Sequence, residues 1–126
     1  MKQELETKLK EKYPQLLEKV AYFECDNGWY DVIDQMCYLI DSDSEVQRRL
    51  NAEFEAPYFV QIKEKFGSMR AYIYNYNDYA RGVITMSEAM TRRTCESCGS
   101  IGRERNGRWI RVLCDSCEKE YQKVKQ

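Results

Sequence analysis

Apolar residues recur at steps of three and four over much of the chain, a spacing that predicts helices. The clearest apolar face consists of Trp29, Val32, Ile33, Met36, Cys37 and Ile40. Asp26 and Asn27 precede this face, and their side chains can cap the first free amides of its helix. The Asp and Ser residues at positions 41–44 predict that this helix ends there and that a short helix follows over residues 44–54. The same spacing predicts one helix before Pro14 and another over residues 78–92.

The period changes to two after Pro57, which predicts a β-hairpin. In the first strand Tyr58, Val60 and Ile62 alternate with Phe59, Gln61 and Lys63. In the second strand Met69, Ala71 and Ile73 alternate with Arg70, Tyr72 and Tyr74. A turn containing Gly67 separates the two strands. Because a bare hairpin is only marginally stable, we expect it to pack on the helix that begins near Trp29. Residues 1–90 are therefore predicted to form an α+β domain.

Four cysteines near the end of the chain form two Cys-x-x-Cys pairs separated by 15 residues: Cys95, Cys98, Cys114 and Cys117. This spacing is typical of a tetrahedral zinc site. The chain has no histidine, so a closed site would consist of four cysteine thiolates, which leaves no open coordination position and indicates one structural Zn²⁺. A redox pair or a disulfide is the alternative, and a reducing compartment disfavours it.

Residues 91–126 are predicted to form the zinc-finger module around these cysteines. Gly99 suits a turn of backbone around the first pair, and Asn106-Gly107 is a strong hairpin-turn dipeptide. A short strand over residues 109–113 leads to Cys114, and the residues after Cys117 favour a helix. This order indicates a treble-clef arrangement, with a β zinc ribbon as the alternative. Since no Pro- or Gly-rich linker precedes Cys95, we expect the module to dock on the preceding helix.

The two predicted parts carry opposite charge. Residues 1–90 contain 11 basic and 16 acidic side chains, a net charge of −5, and residues 91–126 contain 9 basic and 5 acidic, a net charge of +4. Four thiolates and one Zn²⁺ would lower the second value by two. The candidate nucleic-acid-binding residues of this module are Arg92, Arg93, Arg103, Arg105, Arg108 and Arg111. The alternative for these arginines is that they neutralise the negative charge of the metal-bound thiolates. For Trp109 the choice is between stacking on a base and covering the cysteine cluster, and we favour the second.

No basic residue lies between Lys19 and Arg48. The acidic residues of this window include four candidates for binding a basic partner: Asp31, Asp34, Asp41 and Asp43. A solvated helix face is the alternative interpretation. The chain also lacks a Gly-rich phosphate loop and any Ser/His/Asp or Cys/His set, which excludes most hydrolase mechanisms and HNH-type nucleases. We therefore expect a protein that is not an enzyme.

Three motifs resemble a family of small, uncharacterised bacteriophage and prophage proteins. They are Gly-Trp-Tyr-Asp-Val-Ile-Asp at residues 28–34, Val-Gln-Ile-Lys-Glu-Lys-Phe-Gly-Ser-Met-Arg at 60–70, and the Cys-x-x-Cys-Gly tail with Trp-Ile-Arg-Val-Leu-Cys at 109–114. The likeness runs from about residue 24 to 118 and implies a phage origin without an activity. The tail alone also resembles the zinc finger of DksA/TraR-type transcription regulators, but the long coiled-coil hairpin of those regulators has no counterpart here.

These observations together predict a non-enzymatic phage accessory protein that binds a host macromolecule. A regulator or inhibitor of a bacterial defence or transcription complex fits best, and a nucleic-acid-binding zinc-finger protein is the alternative. The 126 residues are 43% hydrophobic, enough for a packed core, but no apolar run approaches the ~18 residues of a membrane span. The first residues lack the apolar stretch of a signal peptide. We expect no membrane partner and a location in the cytoplasm of the host bacterium.

Overall fold

Helices alternate with two antiparallel hairpins over residues 1–125, the range that this computed structural model describes. The helices are α1 (Gln3–Lys12), α2 (Pro14–Leu17), α3 (Tyr30–Leu50), α4 (Asp78–Thr91) and α5 (Asp115–Lys125). The hairpins pair β1 (Tyr58–Lys65) with β2 (Ser68–Tyr74) and β3 (Arg103–Arg105) with β4 (Arg111–Leu113). The predicted α+β class is confirmed. None of the described helices is both long enough and apolar enough to cross a membrane.

Helix α3 runs without a break through residues 41–44, so the predicted end at this point is wrong. The Ser44 hydroxyl donates a 2.9 Å hydrogen bond to the Ile40 carbonyl one turn earlier, and Ser44 is buried. Asp43 accepts a 2.9 Å hydrogen bond from the side chain of Asn77, which caps α4. Asp and Ser cost only tenths of a kcal/mol in a helix interior, and packing against α4 outweighs that preference.

The β1–β2 hairpin has the predicted position, and the predicted buried face of β1 is correct only at Ile62. Its turn consists of Phe66 and Gly67, both with positive φ (+53° and +82°), as a type I′ turn requires. A bulge at Val60 shifts the register, because Phe59 pairs with Ile73 and Gln61 pairs with Tyr72. Phe59 and Ile62 are consequently both fully buried. Of the predicted face, Ile62 is buried as expected, but Tyr58 and Val60 are only half-buried because one unpaired residue inverts the alternation before it.

Helix α3 and the hairpin contribute to one core, as expected. Trp29, Ile33, Phe59, Ile62 and Met69 belong to the same buried cluster. Helix α4 packs against both α3 and β2, so it closes one side of this core. Its predicted existence is confirmed, and the side chain of Asn77 accepts a 2.9 Å hydrogen bond from the Ala80 amide at its start.

The cysteine-bearing segment is docked, as expected, but it contacts the residues just before α3 and not only the preceding helix. The Gly102 amide donates a 2.8 Å hydrogen bond to the Arg93 carbonyl, and the Gly28 amide donates a 2.7 Å hydrogen bond to the Glu96 carbonyl. The second of these bonds crosses the predicted boundary at residue 90. The tight turn predicted for Asn106-Gly107 is wrong: five residues separate β3 from β4, and neither Asn106 nor Gly107 has the positive φ that a type I′ turn needs.

Candidate metal centre

Four thiols converge between the first turn after α4 and the start of α5. The Sγ atoms of Cys95, Cys98, Cys114 and Cys117 all lie within 4.8 Å of one another. The Cys98 and Cys114 sulfur atoms are 3.7 Å apart. Zn–S bonds of about 2.3 Å in a tetrahedron place neighbouring sulfurs about 3.8 Å apart, whereas a disulfide requires about 2.05 Å. The cluster can therefore hold a metal ion in a four-sulfur shell, as the spacing predicted.

The first cysteine pair lies in a tight backbone turn. The Cys95 amide donates a 2.7 Å hydrogen bond to the Ser100 carbonyl, and the Gly99 amide donates a 3.0 Å hydrogen bond to the Cys95 carbonyl. Gly99 has φ of +85°, in the left-handed region that favours glycine. A Cβ there would also lie 3.1 Å from the Gly28 carbonyl oxygen. Glycine at position 99 thus permits both the positive φ of the turn and the close approach to Gly28.

The second pair is positioned by β4 and α5. Val112 and Leu113 are buried and bring the chain to Cys114, and Cys117 lies in the first turn of α5. The Cys117 amide donates a 3.4 Å hydrogen bond to the Cys114 sulfur. The Glu118 amide donates a 2.9 Å hydrogen bond to the Cys114 carbonyl. Amides directed at a sulfur at a helix start favour its thiolate form, which is the form that binds metals.

The thiols differ in their readiness to lose a proton. Hydrogen bonds from Ser100 lower the pKa of Cys98 to about 6, so this exposed thiol is largely a thiolate at neutral pH. Desolvation raises the pKa of Cys117 to about 12, so its proton leaves only when a cation takes its place. A filled shell of four thiolates has no open position for substrate or water. The arrangement can stabilise structure and is not built for catalysis at the metal.

The six arginines proposed for nucleic-acid binding fall into two groups. Arg105 donates to the Leu113 carbonyl at 3.1 and 2.9 Å and to the Asp115 carboxylate at 2.8 Å. The Arg111 guanidinium lies 4.9 Å from the centre of the Tyr121 ring. These two side chains pack within the module. The other four are exposed: Arg92, Arg93, Arg103 and Arg108.

Trp109 does not cover the cysteine cluster, and that expectation is wrong. Its side chain is 71% exposed in the loop between β3 and β4. There it lines a shallow cleft with Phe66 and Cys25 rather than with the metal-site cysteines. The loop is longer than the predicted two-residue turn, which carries the indole away from the cluster.

The four candidate aspartates on α3 do not form one surface. Asp34 accepts hydrogen bonds from Lys12 at 3.1 Å and from the Tyr13 hydroxyl at 2.7 Å, so it fastens α3 to the N-terminal helices. Asp43 binds Asn77, as described above. Asp41 is half-buried, and Asp31 is exposed. Two of the four thus have internal partners, and Asp31 lines a groove that the sequence did not predict.

This groove lies between α3 and α4 and has a volume of about 710 Å³. Its apolar walls include Val32, Leu39, Val83, Met86 and Met90. We call it the α3–α4 groove. The sequence contained one signal for it, because Leu39 and Met86 add apolar area beyond the stripes that the core requires. Helical spacing alone does not tell which of two apolar faces is left uncovered.

No family model, curated protein or solved structure matches this chain. Function therefore has to be inferred from the cysteine cluster, the distribution of charge and the exposed apolar surface. Of these, the cysteine cluster identifies a metal-binding capacity. The exposed groove of about 710 Å³ bears on what the protein contacts.

Proposed function

We propose that this protein is a non-enzymatic binding protein whose partner is another protein. One structural Zn²⁺ in a treble-clef finger stabilises it, and the α+β body presents the binding surface. The sulfur geometry and the order of turn, hairpin and helix support the finger. In the phage setting that the sequence resemblance implies, the partner is a component of a host regulatory or defence complex, met in the reducing cytoplasm where thiolates persist.

The observation that carries this proposal is the α3–α4 groove. Apolar clefts with a few polar groups at their rim are common sites where another molecule binds. Met86 alone is 64% exposed. The charged residues that line the groove are both acidic, Asp31 and Asp78, which disfavours a nucleic-acid backbone there. An apolar cleft with carboxylates at its rim is suited to a protein ligand.

Nucleic-acid binding by the finger is the second candidate. Four exposed arginines support it: Arg92, Arg93, Arg103 and Arg108. Exposed Trp109 in the β3–β4 loop could stack on a base beside them. Against it, Arg105 and Arg111 pack within the module, which leaves fewer cations for phosphates than the composition suggests.

A capture experiment from bacterial lysate separates the two candidates. The tagged protein is incubated with and without nuclease, beside a double variant with Arg103→Ala and Arg108→Ala. We expect a stoichiometric protein partner that resists nuclease and remains bound to the double variant. Recovery of nucleic acid that is lost with nuclease, salt and the arginine substitutions would contradict the proposal and support the second candidate.

A further inference from the structure

We propose that the α3–α4 groove binds a basic amphipathic helix of the partner protein. This inference rests on the proposed function and adds the chemistry and shape of the ligand. Helix-in-groove binding requires an extended apolar cleft, a length that matches a few helical turns, and charges that fix the ligand. The groove provides all three.

The two walls of the groove are antiparallel helices. At one end the Asn77 side chain before α4 donates to Asp43 on α3, and at the other end the Trp29 indole before α3 donates to the Thr94 carbonyl after α4. The lining extends from Asp78 to Met90 along α4. At 1.5 Å per residue this distance is about 18 Å, enough for about three turns of a bound helix.

The lining is apolar and adaptable. Met86 and Met90 lie one turn apart on α4, and Leu39 lies on the facing wall of α3. All three side chains are substantially exposed, so the fold itself does not bury them. Methionine is flexible and fits differently shaped apolar side chains, which suits a surface that receives a helix face.

The charges specify a basic ligand. Asp31 lies near the start of α3 and Asp78 near the start of α4, so the antiparallel arrangement places them at opposite ends of the groove. No lysine or arginine is among the groove-lining residues of the described chain. A ligand helix with Lys or Arg at both ends of its apolar face therefore complements it. A second copy packed groove to groove would place carboxylates against carboxylates in either orientation.

Gly82 gives an independent indication that the groove admits another backbone. It lies in the middle of α4 and lines the groove, but a Cβ at this position would meet no atom within 4 Å, and its φ is not positive. Neither packing nor backbone conformation within this chain requires glycine, although glycine costs a helix interior about 1 kcal/mol relative to alanine. The missing side chain leaves room for a helix to approach closely.

The probe for this site is a synthetic helical peptide of about 16 residues with leucine on one face and lysine elsewhere. A matched peptide carries glutamate in place of lysine. Fluorescence anisotropy with the full chain measures both dissociation constants. We expect the lysine peptide to bind at least about tenfold more tightly than the glutamate peptide, and this preference to fall with added salt or with Asp31→Lys and Asp78→Lys together.

Two groove variants and one control test the location. Gly82→Leu fills the groove with a good helix former, and Met86→Glu places a charge in its wall. We expect each to weaken binding of the lysine peptide about tenfold or more. Thr85→Leu adds a leucine at an exposed site on α4 that does not line the groove, and its binding should equal the wild type. A thermal melt at or above the wild-type value for Gly82→Leu shows that lost binding is not lost folding.

Several outcomes would overturn the inference. They are equal affinity for the two peptides, no binding of the lysine peptide, or unchanged binding by Gly82→Leu. A dimer that Met86→Glu abolishes would make the occupant a second copy instead. A nuclease-resistant partner whose capture survives Gly82→Leu and Met86→Glu would leave the proposed function in place and refute this groove as its site. Capture of nucleic acid alone would refute the proposed function itself.

Discussion

The indole nitrogen of Trp29 donates a 3.0 Å hydrogen bond to the carbonyl of Thr94, the residue before the first metal-site cysteine. Trp29 is fully buried in the core shared by α3 and the β1–β2 hairpin. The preceding amide, that of Gly28, donates a 2.7 Å hydrogen bond to the carbonyl of Glu96. Two adjacent residues, Gly28 and Trp29, thus join the core to the metal centre. A change that destabilises one of these parts should therefore destabilise the other.

Gly28 offers a sharp test of this junction. A Cβ at this position would overlap the Cys95 carbonyl oxygen and come within 2.5 Å of the Glu96 carbonyl group. We expect Gly28→Ala to lower the free energy of unfolding by about 1–3 kcal/mol through overpacking, measured by chemical denaturation. Gly82→Ala is the matched control, because its Cβ meets open space, and it should raise that free energy by up to about 1 kcal/mol. Equal effects of the two substitutions would refute the tight contact.

Arg105 and Arg103 should differ although they are neighbours on one strand. Arg105 is only 14% exposed and holds the Leu113 carbonyl and Asp115 next to Cys114, whereas Arg103 is 72% exposed and 3.8 Å from Asp115. We expect Arg105→Ala to lower the free energy of unfolding by about 1–3 kcal/mol, because charged hydrogen bonds are lost. Arg103→Ala should change it by less than about 0.5 kcal/mol. Thermal denaturation of the two variants side by side measures this difference. A larger loss of stability for Arg103→Ala than for Arg105→Ala would contradict the prediction.

Asp41 predicts a dependence of stability on pH. Desolvation, followed by the nearby Glu45 carboxylate, raises the pKa of Asp41 above its ordinary value. The folded state therefore binds this proton more readily than the unfolded state, and the residue's unfavourable contribution develops as the pH rises through the folded pKa. We expect Asp41→Asn to be more stable than wild type by about 0.3–0.5 kcal/mol at pH 7, the size of a like-charge pair one turn apart.

The same variant should lose its advantage in acid. Well below about pH 3.9, the ordinary pKa of aspartate, Asp41 is protonated in both states and the two proteins should unfold alike. Urea denaturation at several pH values measures the difference. If the extra stability of Asp41→Asn over wild type grew as the pH fell, the sign would be opposite to the prediction. Such a result would exclude a raised pKa for Asp41.

Local chemistry made part of this structure predictable. The spacing of Cys95 to Cys117 specifies a ligand set whatever the surrounding fold, since each pair needs only one turn of backbone. The hairpin turn was equally local, because Gly67 accepts the positive φ that the turn imposes. The helix over residues 78–92 could be predicted from its apolar spacing, and the structure adds the capping side chain of Asn77.

Other features depend on contacts between distant parts of the chain. Ser44 continues α3 because α4 packs beside it, and the bulge at Val60 buries Phe59 where simple alternation assigns Tyr58 and Val60. The need for glycine at position 28 comes from a contact with the cysteine turn far along the chain. The α3–α4 groove exists only because two helices with apolar faces pack without a third element over them. The spacing of apolar residues along one helix does not show whether another element packs over its face.

The central claim is that the four cysteines hold one metal ion that supports the docked C-terminal segment. Native mass spectrometry before and after chelation, with thiol alkylation, tests it most directly. We expect one Zn²⁺ per chain and protection of Cys95, Cys98, Cys114 and Cys117 that ends on chelation. We expect Cys114→Ser to lack the metal and to unfold residues 95–126, because a module of this size depends on its ion. Full zinc content and a native melt in Cys114→Ser would contradict the claim.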